Sequence, residues 1–379
     1  MHLVDTTMFF CARSGGVKRY LLAKHDWLAR RSPGTRHSLL VPASSRIAAG
    51  VVQYMGTCLP LADGYRFPLR RATWKKALMK LRPDIIEAGD PYIPGWAARD
   101  AADELGIPAV AFCHSDVQRL YAERAGEWTR PWSRRYVRSF YSGFDLVVAP
   151  SRAVLASLAD AGITQAVHQP LGVDTTVFHP AKRRADLRQQ LGLAQTTRLL
   201  VYAGRFAKEK NLPVLIAAAE RLGAGYHLLL IGGRRRESGG RNITIWPYQR
   251  NADKLASLLA SCDAFVHGGE NETFGLVLAE AMACGLPVVA VRSGGIPEVA
   301  DNEVGVLVPR ATAAQLSEGV TELFARGIEN VASAARQRAV RLFGWDATFT
   351  SLLSAYAQLI DAARSSVTMA SRAAVWQSS

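Results

Sequence analysis

The chain has 379 residues, 49% hydrophobic and 21% charged, which excludes a disordered or collagen-like polymer and leaves room for roughly two or three domains. Its five cysteines are odd in number and never spaced C-x-x-C, which excludes a disulfide scaffold and reads as reduced, buried thiols. A formal net charge of +14, spread over both halves, calls for an acidic partner: phosphate, anionic lipid or nucleic acid.

In chain order, a first apolar strand runs into RSGGVKRY (13–20). Gly15 and Gly16 there suit a close approach to phosphate, with a plain turn as the competing reading, because neither G-x-G-x-x-G nor G-x-x-x-x-G-K-[ST] is present. Strands are predicted at 37–42, 83–90, 108–115 and 145–151, with helices at 96–105 and 152–161. Between them, residues 66–82 (RFPLRRATWKKALMKLR) carry seven cations and no acid, with Trp74, Leu78 and Leu81 at helical spacing. Such a basic amphipathic helix suits an anionic membrane surface; a solvated helix with its apolar stripe packed inward is the alternative. EWTRPWSRRYVRSFY (127–141) adds a second basic, aromatic stretch. FCHSD (112–116) puts His114 at a strand's carboxyl end, where open parallel sheets bind ligands.

The polar segment 178–197 reads as the joint between two βα series. Beyond it, strands are predicted at 198–205, 226–233, 242–248, 263–269, 287–293 and 305–309, with helices at 212–222, 254–261, 274–284 and 313–326. YAGRFAKEKN (202–211) places Arg205 and Lys210 in a strand-to-helix loop, two cations that could neutralise a diphosphate. In GGENETFGLVLAEAMACGLPVV (268–289), Glu272 precedes a helix expected to begin at Phe274–Gly275, and Glu280 follows eight residues later. A helix start presents free N–H groups to an anion. On one helix the two carboxylates would stand about 12 Å apart, too far to flank one glycosidic bond, for which about 5–9.5 Å is required. They would instead hold different parts of a long ligand. No D-x-D or clustered metal-ligand spacing points to a metal, and no G-x-S-x-G points to a serine hydrolase. No nucleic-acid-binding signature accompanies the basic charge. No apolar run approaches the roughly 18 residues of a membrane span, and no basic leader opens the chain, so a cytoplasmic location is expected.

Together these motifs resemble the retaining glycosyltransferases of family GT4. The resemblance runs from about residue 14 to residue 360 and includes GGVKR (15–19), APSR (149–152), LGVDTTVFHP (171–180), GRFAKEKN (204–211), the E-x7-E pair Glu272 and Glu280, and GWDATFTSLLSAY (344–356). It implies an α/β chain of GT-B fold, two Rossmann-like doubly wound domains facing across a cleft. The acceptor-side domain would span 1–178, a linker 179–197, the donor domain 198–345, a helix crossing back 346–364, and a flexible tail 365–379. The implied activity moves a hexose, with mannose the best match, from a nucleotide-diphosphate sugar (GDP-mannose or a UDP-sugar) to a glycolipid or glycan acceptor. The enzyme would be cytoplasmic, or peripheral on the inner face of the membrane, and would need no metal or other cofactor. By resemblance, Arg205 and Lys210 hold the diphosphate, Glu280 the ribose and Glu272 the donor sugar. The backbone at Phe274 and Gly275 meets sugar and phosphate, Gly15 and Gly16 close over the phosphate, and His114 lies beside the reacting centre. WPYQRN (246–251) stands where many relatives carry a glycine-bearing loop. A sugar-nucleotide 2-epimerase and a non-catalytic sugar-nucleotide-binding subunit remain alternative readings.

Overall fold

Apolar runs of four to six residues bounded by turns, such as RLLVYA and AFVH, form parallel strands buried under helices on both faces. A computed structural model describes residues 1–11, 15–42, 51–53, 58–61 and 64–377, and Arg13 and Ser14 of the first glycine-rich loop lie outside them. The chain divides into two units, Met1–Gln169 with the residues from Asp346 on, and Pro170–Trp345.

The first unit contains β1 (His2–Thr6), β2 (Arg36–Val41), β3 (Val51–Gln53), the short antiparallel pair β4 (Cys58–Pro60) and β5 (Arg66–Pro68), β6 (Ile85–Ala88), β7 (Ala109–Phe112), β8 (Leu146–Ala149) and β9 (Val167–His168). Among the described residues its main sheet is parallel throughout, in the order β3-β2-β1-β6-β7-β8-β9. The second unit contains β10 (Arg198–Ala203), β11 (Tyr226–Gly233), β12 (Glu237–Gly240), β13 (Ile243–Pro247), β14 (Ala264–His267), β15 (Val288–Val291) and β16 (Gly305–Val308). Its sheet runs β12-β13-β11-β10-β14-β15-β16, parallel except for the edge strand β12. Each unit has its own core, one around Trp74, Ile86, Phe140 and Val147, the other around Leu200, Leu230, Val266 and Val289. The order of strands reverses at β1/β6 in one sheet and at β10/β14 in the other. These switch points are where doubly wound sheets open a crevice at their carboxyl ends.

Several expectations are corrected. The segment 179–197 is no free linker: it forms a 3-10 turn at Pro180–Lys182 and a helix at Leu187–Leu191, with Leu187 buried and Arg188 bonded to Asp263 at 2.5 Å. The division falls instead after Gln169. Leu171, Val173 and Phe178 are buried in the second unit, where the Val173 N–H donates to the Phe343 carbonyl. Arg336 bonds the carbonyls of Phe178 and Thr175 at 2.8 and 3.2 Å. The closing helix spans Trp345–Gln377 and does not stop at 364, because residues 362–377 contain no glycine or proline to end it. Residues 66–82 are not one helix but β5 followed by a helix at Arg71–Lys80. That helix's apolar stripe points inward: Trp74 and Leu78 are fully buried, and the Trp74 indole N–H donates to Thr6 Oγ1 at 2.9 Å. Strands β3, β4, β5, β9 and β12 were not anticipated; they are two to four residues long, and ESGG of β12 has no apolar period.

Candidate active site

At the switch point of the second unit, β10 and β14 are hydrogen-bonded neighbours, with Val201 opposite Phe265, so the loops that follow them leave the sheet side by side. The Tyr202 hydroxyl donates to the Arg205 carbonyl at 3.0 Å and pins the first loop. Asn211 takes a left-handed conformation, φ 51°, which asparagine tolerates better than most residues. Its amide donates to the Gly268 carbonyl at 2.9 Å and to Glu270 Oε2 at 3.3 Å, stitching the two loops together. From this scaffold Lys210 Nζ hydrogen-bonds Glu272 Oε1. His267 Nε2, at the end of β14, lies 3.0 Å from the same oxygen.

A third loop buttresses Glu272 from β15. Ser293 Oγ donates to the Glu270 carbonyl at 2.5 Å, and the Gly295 N–H donates to the Glu272 carbonyl at 2.8 Å. Gly294 has φ +58°, and a Cβ there would lie 2.2 Å from the Glu272 carbonyl oxygen, so only glycine lets the loops approach this closely. Burial alone would raise the Glu272 carboxyl. The Lys210 ammonium and the His267 hydrogen bond outweigh it and hold the group well below the usual carboxylate range, so Glu272 is an anion across the physiological span. The same anion, added to burial, pushes the Tyr202 phenol far up.

Arg205 pairs with Glu209 at 3.2 Å while 39% of its side chain stays exposed. A pair in that environment contributes about 0–1 kcal/mol, so the guanidinium can turn to an arriving anion at little cost. The expected helix start is corrected: Gly275, φ +93°, is not helical, and the helix runs Leu276–Ala283. Phe274 turns its ring inward onto Phe343, centroids 5.6 Å apart. Glu280 sits on that helix with no solvent exposure, and Glu272 is in the preceding loop, so the two do not share a helix face.

In the first unit, Gly15 caps the helix Gly16–Arg31, and a Cβ at Gly15 would meet nothing within 4 Å. His114 follows β7, its ring stacked on Phe112 at 4.3 Å and edge-on to Tyr20 at 4.9 Å. Burial first, then the Lys24 ammonium, lowers its pKa to about 3, so it stays neutral near pH 7. Asp90, just past β6, was not singled out in the sequence. It is buried and accepts from the Thr7 hydroxyl at 2.7 Å, the Met8 N–H at 2.6 Å and the Tyr92 N–H at 3.0 Å. Burial raises its carboxyl to about 6 against these three donors.

The structure therefore brings Lys210 and Glu272 together and sets Arg205 on the same loop as Lys210. Gly15, Gly16 and His114 belong to the other unit. Sequence reasoning missed His267, Asn211 and the Ser293–Gly295 loop. The strand-end rule that drew attention to His114 applies equally to His267 in DAFVHGG and would have found it. Among the described residues no group of three or more His, Cys, Asp or Glu side chains is arranged to hold a metal ion.

Comparison with known proteins places this chain among sugar transferases. Residues 183–339 match the family Glycosyl transferases group 1, and residues 14–177 match Glycosyltransferase Family 4. A GDP-mannose-dependent alpha-mannosyltransferase of Corynebacterium glutamicum is 29% identical over 311 residues, 80% of this chain and 74% of that one. A GDP-mannose-dependent alpha-(1-6)-phosphatidylinositol dimannoside mannosyltransferase of Mycobacterium tuberculosis is 28% identical over 375 residues, 93% and 95% of the two chains. A D-inositol 3-phosphate glycosyltransferase of Xylanimonas cellulosilytica is 31% identical over 298 residues, 70% of each. In fold, the chain is similar to sucrose-phosphate synthase of Thermosynechococcus elongatus, with TM-score 0.78, 21% identity and coverage of 95% and 99%. It is also similar to Anabaena HepE in complex with UDP and glucose, with TM-score 0.75, 18% identity and coverage of 94% and 100%.

Proposed function

The chain belongs to the family 4 glycosyltransferases and has their two-domain GT-B fold, and from that premise we propose that it moves mannose from GDP-mannose, with retained configuration, to a lipid-linked or glycan acceptor at the inner membrane surface. It is an enzyme acting on nucleotide-diphosphate sugars. The choice of mannose and of a lipid acceptor draws on relatives whose own names carry them.

The observation that carries the reading is the meeting of Lys210 and His267 on one oxygen of Glu272, beside the loop that holds Arg205. Breaking a glycosyl–phosphate bond leaves negative charge on the departing diphosphate. Arg205 and Lys210 stand on a loop fixed by Tyr202 and Asn211, so they can stabilise that charge without reorganising as it develops. Glu272 Oε1 is taken by two donors, which leaves Oε2 as the oxygen to accept a hydroxyl of the donor sugar. Glycine at 275 lets phosphate reach the backbone at the start of the helix. The resemblance assigns help in deprotonating the acceptor to the leaving phosphate itself, so no dedicated base residue is required.

The test is nucleotide release from GDP- and UDP-sugars, each alone and with a lipid or cell-extract acceptor. Acceptor-dependent release from GDP-mannose is expected, falling about 10²–10³-fold in Lys210→Ala and in Glu272→Ala. Interconversion of the sugar nucleotide without acceptor would establish a 2-epimerase instead, and binding without any turnover a non-catalytic subunit.

A further inference from the structure

The helix Arg130–Tyr141 buries Ser133, Val137, Phe140 and Tyr141 and leaves Trp132 and Arg135 exposed. Two tryptophans stand out on this helix and the turn before it: Trp128 is 78% exposed and Trp132 54%. A tryptophan held in water gives up apolar burial that a core position would have supplied. Neighbouring rings also hold Trp132 in place. Trp132 stacks on Tyr136 with centroids 5.7 Å apart and meets Tyr121 edge-on at 5.1 Å. Tyr136 is fixed in turn by its hydroxyl on the Pro91 carbonyl and by the Trp96 indole N–H at 3.2 Å. Arg71, at the start of the neighbouring basic helix, lies over Trp96 at 5.0 Å. Trp96 thus lies between the two basic, aromatic stretches of the sequence, touching Arg71 of one and Tyr136 of the other.

The charge here is predominantly positive. Residues 117–141 contain six arginines against Glu123 and Glu127. Glu127 is paired with Arg130, and Glu123 with Arg119. Arg124, Arg135 and Arg138 are exposed and have no carboxylate within ion-pair distance among the described residues. Indole rings flanked by unpaired guanidinium groups match the boundary between lipid headgroups and acyl chains, where tryptophan is enriched and cations meet anionic lipid. Among the described residues no helix is long and apolar enough to cross a membrane, so contact through this face would be peripheral.

We propose that the surface formed by Trp128, Trp132, Tyr121 and the arginines around them docks this protein on an anionic lipid bilayer. The face adjoins the carboxyl end of β6: Tyr136 holds the carbonyl of Pro91, the residue after Asp90. Docking here would bring a lipid-anchored acceptor to that edge of the first unit. This extends the proposed acceptor class, and its test does not depend on turnover.

The experiment is co-sedimentation of the full chain with vesicles of phosphatidylcholine alone and of phosphatidylcholine mixed with phosphatidylglycerol. Binding is expected only to the mixed vesicles, weakening as salt is added. Trp128→Ser with Trp132→Ser, and separately Arg135→Glu with Arg138→Glu, should each lower the affinity at least about tenfold. Trp128→Ser alone, at the most exposed ring, guards against misfolding and should lower it measurably. Lys76→Glu with Lys80→Glu, on the helix Arg71–Lys80, is the comparison. The proposal is overturned if wild type ignores the mixed vesicles, if the Trp and Arg variants bind as wild type does, or if only the lysine variant loses binding. It is also overturned if the wild type sediments as a dimer that the tryptophan substitutions dissolve, since the face would then cover a second copy.

Discussion

Glu272 takes two donors on one oxygen, and only one of them was visible as a motif. The Lys210 ammonium neutralises the carboxylate, while His267, stacked between Tyr202 and Phe265, fixes its direction. Hydrogen bonds to a charged group contribute about 1.5–3 kcal/mol, so His267→Ala is expected to lower kcat/KM for nucleotide release about 10–100-fold, with partial rescue by His267→Gln, which restores an N–H. Equal activity of the Ala variant and wild type would remove His267 from the positioning of Glu272. Asp90 makes a different prediction. Its carboxyl is raised to about 6, so between the ordinary aspartate range and that value the folded state holds a proton that the unfolded state has released. Stability therefore falls as pH rises across this interval and levels off above it. In urea titrations, wild type should lose about 2–3 kcal/mol relative to Asp90→Asn between about pH 4 and pH 6. A difference constant with pH would mean Asp90 titrates normally.

At the scale of elements, the closing helix is held on the first unit by a buried charge cluster and a ring contact. Lys24, 2% exposed, bridges Asp5 at 3.0 Å and Glu87 at 2.8 Å, and Tyr20 and Tyr356 both donate to Glu87. His37 adds a contact to Asp5 at 3.0 Å. Burial raises the Glu87 carboxyl in spite of Lys24, whereas Lys24 and His37 outweigh burial at Asp5 and keep it low. Two turns earlier on the helix, Phe349 packs between Tyr20 and Trp27, both centroids at 5.7 Å. Phe349→Ala should cost about 3–5 kcal/mol, read as a lowered Tm of the first unit's transition. An unchanged Tm would mean that the helix contributes nothing to that unit. The helix Arg71–Lys80 illustrates the opposite lesson. Its apolar stripe was ambiguous between membrane and core, and burial of Trp74 and Leu78 resolves it for the core. Arg71 and Lys75 turn to Asp100 and Glu104 of the next helix.

For the molecule as a whole, the chain crosses between units twice, after Gln169 and after Trp345, so the second unit is contiguous while the first is completed by the C-terminal helix. Each unit has a separate core. A fragment of residues 170–345 is therefore expected to unfold in one cooperative thermal transition followed by circular dichroism. A fragment of residues 1–169, lacking Phe349 and Tyr356, should melt earlier than the same unit in the full chain or fail to fold. Cooperative folding of 1–169 at the full-chain temperature would contradict the role given to the helix.

Much of this protein is legible in the order of its residues because the signals are local. Runs such as RLLVYA and VVAV state their own burial, and Arg205, Lys210, Glu272 and Glu280 stand in motifs only a few residues long. What the tertiary structure alone decided are the meetings of distant residues. Lys210 reaches Glu272 across 62 positions only because β10 and β14 are neighbours, and Tyr356 reaches Glu87 across 269. Strand order and register set those encounters, and no short-range pattern encodes them. For the same reason, polar residues 179–197 looked like a linker until Asp263 supplied the partner of Arg188. A side chain's polarity shows that it needs a partner, and only the fold supplies which one.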